Sequence, residues 1–304
     1  MFVLEPLFTI FSLLMGGYVA KRIYVLKQKQ ARAFLDFVIV FALPCLIFDK
    51  SYHLKFDFSL IVYVLMGFSS CLIAAFLSVF IGFVCKFSKA TLVSMFLLSA
   101  FGNTIFIGLP IISSLYPAQN QFVSEVIFYD ALATALPMSL FGPFVISLAS
   151  KTKIDFMQNV KKILLFPPFI ALALGFACKL ISLPELIFLP IKMFGDAATP
   201  TALFAIGLGL SFATIKSSYK ATFLVILAKM LLAPLIFILI LKLFSMQTTP
   251  SAIVAIFESS VPTMTLASAM IIKAKLDTNL AISSIAFGVL FAFVSMPLLV
   301  WILF

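Results

Sequence analysis

Charge is the scarcest commodity in this chain: 11% of its 304 residues are charged, against 63% hydrophobic, and mean hydropathy is +1.23. A soluble domain of this length could not cover its core with so few charges, so the class is an all-α polytopic membrane protein. Histidine is nearly missing too. The one histidine, His53, is expected in a short loop with no second histidine to share a ligand role, which removes most metalloenzyme templates. Four cysteines (Cys45, Cys71, Cys85, Cys178) lie in apolar stretches with no C-x-x-C among them. They read as small buried hydrophobes, which leaves no disulfide framework or metal site. There is also no H-E-x-x-H, no phosphate-cradling Gly-Lys-Ser/Thr loop and no Ser–His pairing. The chain therefore reads as a non-enzyme without a cofactor. Any work it does must draw on an ion or solute gradient.

Among what is present, the placement of the basic residues says most. The net charge is +10, yet Lys and Arg are scattered between apolar runs and form no basic face interleaved with aromatics. That pattern argues against a nucleic-acid partner and for topology signals. Windows of about 20 apolar residues give ten spans: 2–20, 33–48, 58–85, 91–116, 125–150, 163–181, 186–213, 220–244, 250–273 and 277–304. The loops on one side hold Lys21, Arg22, Lys27, Lys29, Arg32, Lys86, Lys89, Lys151, Lys153, Lys161, Lys162, Lys216, Lys220, Lys273 and Lys275. The loops on the other hold only Lys50, Lys55, Lys179 and Lys242. This bias predicts the richer loops in the cytoplasm and both termini outside, in the cell (cytoplasmic) membrane. The first apolar run lacks a basic leader and meets Lys21 and Arg22 at once, so a retained first helix is expected in preference to a cleaved signal.

Ten spans divide into a first five-helix repeat at 1–150, a cytoplasmic linker at 151–162 and a second repeat at 163–304. Five is odd, so the second repeat must enter the membrane inverted. Pro110 in the fourth span and Pro262 in the ninth stand half a chain apart, and Asp36/Pro44 and Asp196/Pro200 echo one another more weakly. Ile154, Met157 and Val160 at helical spacing suggest a short interfacial helix in the linker.

Two polar, proline-containing stretches interrupt these spans: Ser99-Ala-Phe-Gly-Asn-Thr-Ile-Phe-Ile-Gly-Leu-Pro110 and Glu258-Ser-Ser-Val-Pro-Thr-Met-Thr265. A charge at the centre of a span costs about 2.5–3.5 kcal/mol on insertion scales, so such groups need a purpose. Span arithmetic brings Asn103 and Pro262 to the midplane, where unwound backbone can bind a solute. The half-helix after each break aims its amides there and favours an anion. Asn103, Thr104, Gly108, Pro110, Ser260, Pro262 and Thr263 are the candidate substrate contacts, with Glu258 and Asp130 as carriers of a coupling ion. The plainer alternative is a pair of ordinary proline kinks. Lys192 and Asp196 are expected to neutralise one another one helical turn apart, and Asp36 to lie at the interface. Lys229 falls mid-span with no partner evident.

The run Gly102-Asn-Thr-Ile-Phe-Ile-Gly-Leu-Pro110 closely resembles the fourth-helix motif of the auxin efflux carrier family. Val261-Pro-Thr263, Ile282-Ser-Ser-Ile-Ala-Phe-Gly-Val-Leu290 and Met296-Pro-Leu298 are similar to its ninth and tenth helices, and Ala197-Ala-Thr-Pro-Thr-Ala-Leu-Phe-Ala-Ile-Gly207 to its seventh. The resemblance implies ten helices, with the fourth and ninth broken and crossing at their prolines. It also implies a scaffold of helices 1, 2, 6 and 7 beside an elevator-like transport domain, and carries over Asn103, Pro110 and Pro262 as site residues. Glu258 is not carried over; its role rests on depth alone. The short linker resembles the compact microbial type, whose members are associated with small organic acids such as malonate and malate. The expected partners are therefore an organic-acid substrate, a proton or sodium ion and membrane lipid, and a homodimer is compatible with all of this. The competing functions are a sodium-coupled symporter of the bile-acid type and a non-transporting membrane scaffold or sensor.

Overall fold

The computed structural model describes residues 3–117, 119–150, 156–210 and 215–304. In chain order its helices are α1 (Leu4–Arg22), α2 (Gln28–His53), α3 (Phe58–Val84), α4 (Lys89–Ala100), α5 (Thr104–Leu115), α6 (Asn120–Ser147) and α7 (Phe156–Leu164). There follow α8 (Pro167–Cys178), α9 (Glu185–Asp196), α10 (Ala198–Gly209), α11 (Ser218–Leu243), α12 (Pro250–Ser260), α13 (Thr265–Lys273) and α14 (Thr278–Leu303). Five of them (α2, α3, α6, α11, α14) are long and apolar enough to cross a membrane, and α4, α5 and α8 are shorter apolar helices. The chain is an integral membrane protein. The expected spans 91–116, 186–213 and 250–273 are not continuous: each is a pair of shorter helices. In the linker, α7 covers Met157 and Val160, while residues 151–155, with Ile154, lie outside the described residues.

Helix starts follow local chemistry. The side chains of Asp57, Ser88, Thr249 and Asp277 accept the amides of Ser59 (2.7 Å), Thr91 (3.2 Å), Ala252 (3.2 Å) and Leu280 (3.0 Å), capping α3, α4, α12 and α14. Proline shapes the interiors. Wide π turns occur at Val38–Ala42, Thr104–Gly108, Asp130–Ala135 and Ala228–Leu232. After one intervening residue each is followed by a proline: Pro44, Pro110, Pro137 and Pro234. A proline withholds its N–H and crowds the carbonyl one turn back. The preceding turn relieves that crowding by widening.

Two compact units emerge, and each draws on both halves of the sequence. The first comprises Met1–Phe56, Leu109–Phe128 and Met157–Leu210. Here α1 and α10 touch backbone to backbone through glycine: a Cβ at Gly17 would strike the Phe204 carbonyl, and one at Gly207 that of Leu14. Gly175 of α8 likewise sits against Ser51 and Phe48 of α2, and Gly195 of α9 against Leu46. Close approach through small residues is the usual means of joining helices where no water drives association. Lysines close the helix ends. Lys21, at the end of α1, donates to the carbonyl of Leu210, which caps α10; Lys179, just past α8, donates to that of Leu54, which caps α2. Asp36 is exposed and pairs with Arg32 at 3.8 Å. Contrary to expectation, the Lys192 ammonium lies over the Phe188 ring, 5.9 Å from its centroid, and not on Asp196. An aromatic face one turn back on the same helix competes with a carboxylate one turn ahead for the ammonium.

The second unit comprises Asp57–Gly108, Tyr129–Phe156 and Ser211–Phe304. Met95, Leu98, Val225, Ile271 and Leu280 build its core, and Phe80, Phe83 and Phe223 point outward as a lipid-facing surface requires. Its interior also holds a polar seam.

Substituting alanine for Gly17 or Gly207 should force α1 and α10 apart and lower stability by about 1–3 kcal/mol, the range for overpacking. Thermal unfolding of detergent-solubilised protein measures this. Gly209→Ala is the control, because nothing lies within 4 Å of the added carbon, and it should unfold at or above the wild-type temperature.

Candidate functional site: a backbone crossing in the second unit

Both α4 and α12 stop short of spanning the unit. Beyond Ala100 and Ser260 the chain turns extended, at Phe101 (φ −116°, ψ 127°) and Val261 (φ −63°, ψ 153°). The two extended pieces meet. The Asn103 amide donates to the Pro262 carbonyl at 2.7 Å, the Met264 amide to that of Phe101 at 2.9 Å, and Gly102 pairs antiparallel with Thr263. Among the described residues this is the one isolated bridge in an otherwise helical chain. It satisfies groups that would be costly to leave bare in a membrane interior.

Carbonyls near the end of α12 are met by side chains. Ser259 and Ser260 donate their hydroxyls to the carbonyls of Ile256 and Phe257, both at 2.7 Å. The Lys229 ammonium donates to the Ser259 carbonyl at 2.6 Å, and the Cys71 thiol approaches the same oxygen at 3.6 Å. Thr263 donates to the Leu98 carbonyl at 3.1 Å. The hydroxyls of Ser260 and Thr263 are thus engaged with backbone. On the other strand, the Asn103 carbonyl accepts the amides of Ile107 (3.1 Å) and Gly108 (3.4 Å), which opens the π turn Thr104–Gly108.

Two buried carboxylates lie in this unit. Thr104 donates its hydroxyl to Asp130, which stands at the start of the π turn in α6. Glu258 is 0% exposed and neither of its oxygens has a hydrogen-bond partner. Its carboxylate occupies the space a Gly108 side chain would need, and Asp130 and Lys229 are the charged groups that act on it. The residues Asn103, Thr104, Gly108, Asp130, Glu258, Ser260, Pro262 and Thr263 all fall in the second unit. Pro110 does not. The break in the fourth span lies at residues 101–103 and holds no proline, whereas Pro110 sits inside α5, grouped with the first unit. Its local effect is to widen the turn before it. The expectation that both helices break at their prolines is corrected to this extent: Pro262 is at a break and Pro110 is not.

Lys229 and Cys71 were not among the expected site residues, and the structure supplies the partners that Lys229 lacked in sequence. A signal existed. Lys229 and Asp130 each occupy a proline-widened turn, ahead of Pro234 and Pro137, and such turns concentrate at functional positions.

Two broken helices thus cross beside buried carboxylates in an integral membrane protein. Residues 2–301 match the family described as membrane transport protein, and the chain belongs to that auxin efflux carrier-type family. An uncharacterized transporter of Methanothermobacter thermautotrophicus is 26% identical over 299 residues, covering 97% of this chain and 96% of the relative. One from Methanocaldococcus jannaschii is 23% identical over 310 residues, covering 99% and 98%. The lysosomal cholesterol signaling protein of Mus musculus is 25% identical over 248 residues, covering 74% of this chain and 28% of the mouse protein.

Gly108→Ala should lower stability by about 1–3 kcal/mol by displacing the Glu258 carboxylate, and Glu258→Ala in the same chain should restore part of the loss. A double-mutant cycle of thermal unfolding reads the coupling between the two.

Proposed function

We propose that this chain is a secondary active transporter that moves a small organic anion, a carboxylate, across the cytoplasmic membrane by elevator-like alternating access. The observation that carries this reading is the pairing of residues 101–103 with 262–264 inside an apolar unit. Helices α5 and α13 begin directly after the crossing strands, and their positive ends suit a carboxylate. Asn103, Thr104 and Gly108 from one broken helix, and Ser260, Pro262 and Thr263 from the other, are the proposed contacts. Glu258 and Asp130 are the proposed carriers of a coupling proton, both termini lie outside, and malonate or malate is the substrate class to test first.

Contacts within the first unit support ten helices in two inverted repeats, at 1–150 and 163–304 around the 151–162 linker. An inversion exchanges the first span with the sixth and the second with the seventh. Under it, the Lys21 contact with the end of α10 maps onto the Lys179 contact with the end of α2. That unit also gathers the first, second, sixth and seventh spans, the set that a scaffold role would need. The mouse relative's name, which speaks of cholesterol signaling, is the observation behind one alternative, the non-transporting membrane sensor. Cysteines placed singly near Asn103 would react from neither side of the membrane if that alternative holds.

In proteoliposomes the wild type should accumulate labelled malonate or malate. Asn103→Ala and Pro262→Ala should each cut the initial rate by about tenfold, equivalent to roughly 1.4 kcal/mol, while folded yield is kept. Wild-type rates in both variants would falsify the crossing as the transport site.

A further inference from the structure

Lys229 has no part in the proposed substrate contacts or ion carriers. Lys229 is 1% exposed, and its side chain is among the largest fully buried in the protein. It projects from the π turn Ala228–Leu232, and its ammonium lies 2.6 Å from the Ser259 carbonyl and 3.2 Å from the Cys71 sulfur. Room for it is made on purpose. A Cβ at Gly102, on the opposite crossing strand, would stand 2.8 Å from Cε and 3.1 Å from Nζ of Lys229. The carbonyl it meets belongs to the last turn of α12, where the helix is cut and the negative end of its dipole is exposed. The Glu258 carboxylate, with neither oxygen hydrogen-bonded, stands on the same turn.

A free carbonyl at a half-helix C-terminus, a soft second ligand and a buried carboxylate in electrostatic range make a setting that broken-helix transporters offer to a monovalent cation. In this chain a primary ammonium already stands there. We infer that Lys229 is a tethered cation: it permanently fills the cation position at the helix crossing, so the protein binds and needs no alkali-metal ion there. The charge holds the severed end of α12 and offsets the buried Glu258, and both tasks would otherwise fall to a diffusible ion. The inference deepens the transporter reading and rests on it for its consequence, a cycle without sodium coupling. The occupancy itself stands on geometry and can be tested without transport.

The experiment is thermal unfolding of purified protein in detergent, at matched ionic strength, in sodium, potassium or choline chloride. Wild type should unfold at one temperature in all three. Lys229→Ala removes the three outer methylenes and the ammonium, so it should unfold at lower temperature and regain at least about half of the loss with n-propylammonium but not with tetramethylammonium. Lys229→Gln removes the charge and is one methylene shorter, serves if the alanine variant does not fold, and should gain stability from sodium or potassium over choline. A wild type stabilised by sodium or potassium over choline would overturn the inference. So would variants that respond to no cation. Uptake separates the two readings: malonate uptake strictly requiring sodium would overturn the tethered cation and leave a transporter. Absence of uptake with the expected cation responses would sink the proposed substrate and leave the tethered cation standing.

Discussion

Everything in the second unit depends on how two severed helices satisfy their backbones without water. In hydrocarbon an unpaired amide or carbonyl costs several kcal/mol, so a broken helix is tolerable only where protein groups replace the missing bonds. Here each strand supplies the other. The amide of Asn103 meets the carbonyl of Pro262, the amide of Met264 meets the carbonyl of Phe101, and serine hydroxyls and one lysine close the end of α12. Pro262 belongs in this scheme because it has no amide to satisfy. Gly102 belongs because its missing side chain leaves space for Lys229 and Val261. Mutual hydrogen bonding thus lets two broken helices sit in an apolar interior.

Proline recurs as the device that aims side chains. The four widened turns each precede a proline, and three of them carry Thr104, Asp130 and Lys229 in the second unit. A π turn rotates the residues after it relative to an α-helix and loosens local bonding, so a polar side chain can be turned inward while the flanking turns stay apolar outside. Glycine does the complementary work in the first unit, letting α1 and α10 approach through Gly17 and Gly207. One residue type bends the helices and the other brings them together.

Much of the candidate site is legible in the sequence because depth in a membrane punishes polarity. Asn103, Thr104, Asp130 and Glu258 stand out in apolar spans on cost alone, and they converge in one unit. Pro110 was placed at the break because a proline marks a disturbed helix, yet its effect falls on the turn before it. The actual break holds Gly102 and no proline. The Lys192–Asp196 pair shows a related limit. Spacing permits an ion pair, but the Phe188 ring on the same helix takes the ammonium.

The sequence by itself determined the class, the family and the residues that a membrane interior would not accept without reason, because hydropathy, charge bias and motif are properties of the chain read in order. Tertiary structure alone decided which carbonyl Lys229 meets, that Glu258 lies against Gly108 with both oxygens unpaired, and that the breaks pair antiparallel. The physical reason is separation along the chain. Gly102 and Thr263, or Cys71 and Lys229, are distant in sequence, and nothing local to either records which partner packing will bring to it.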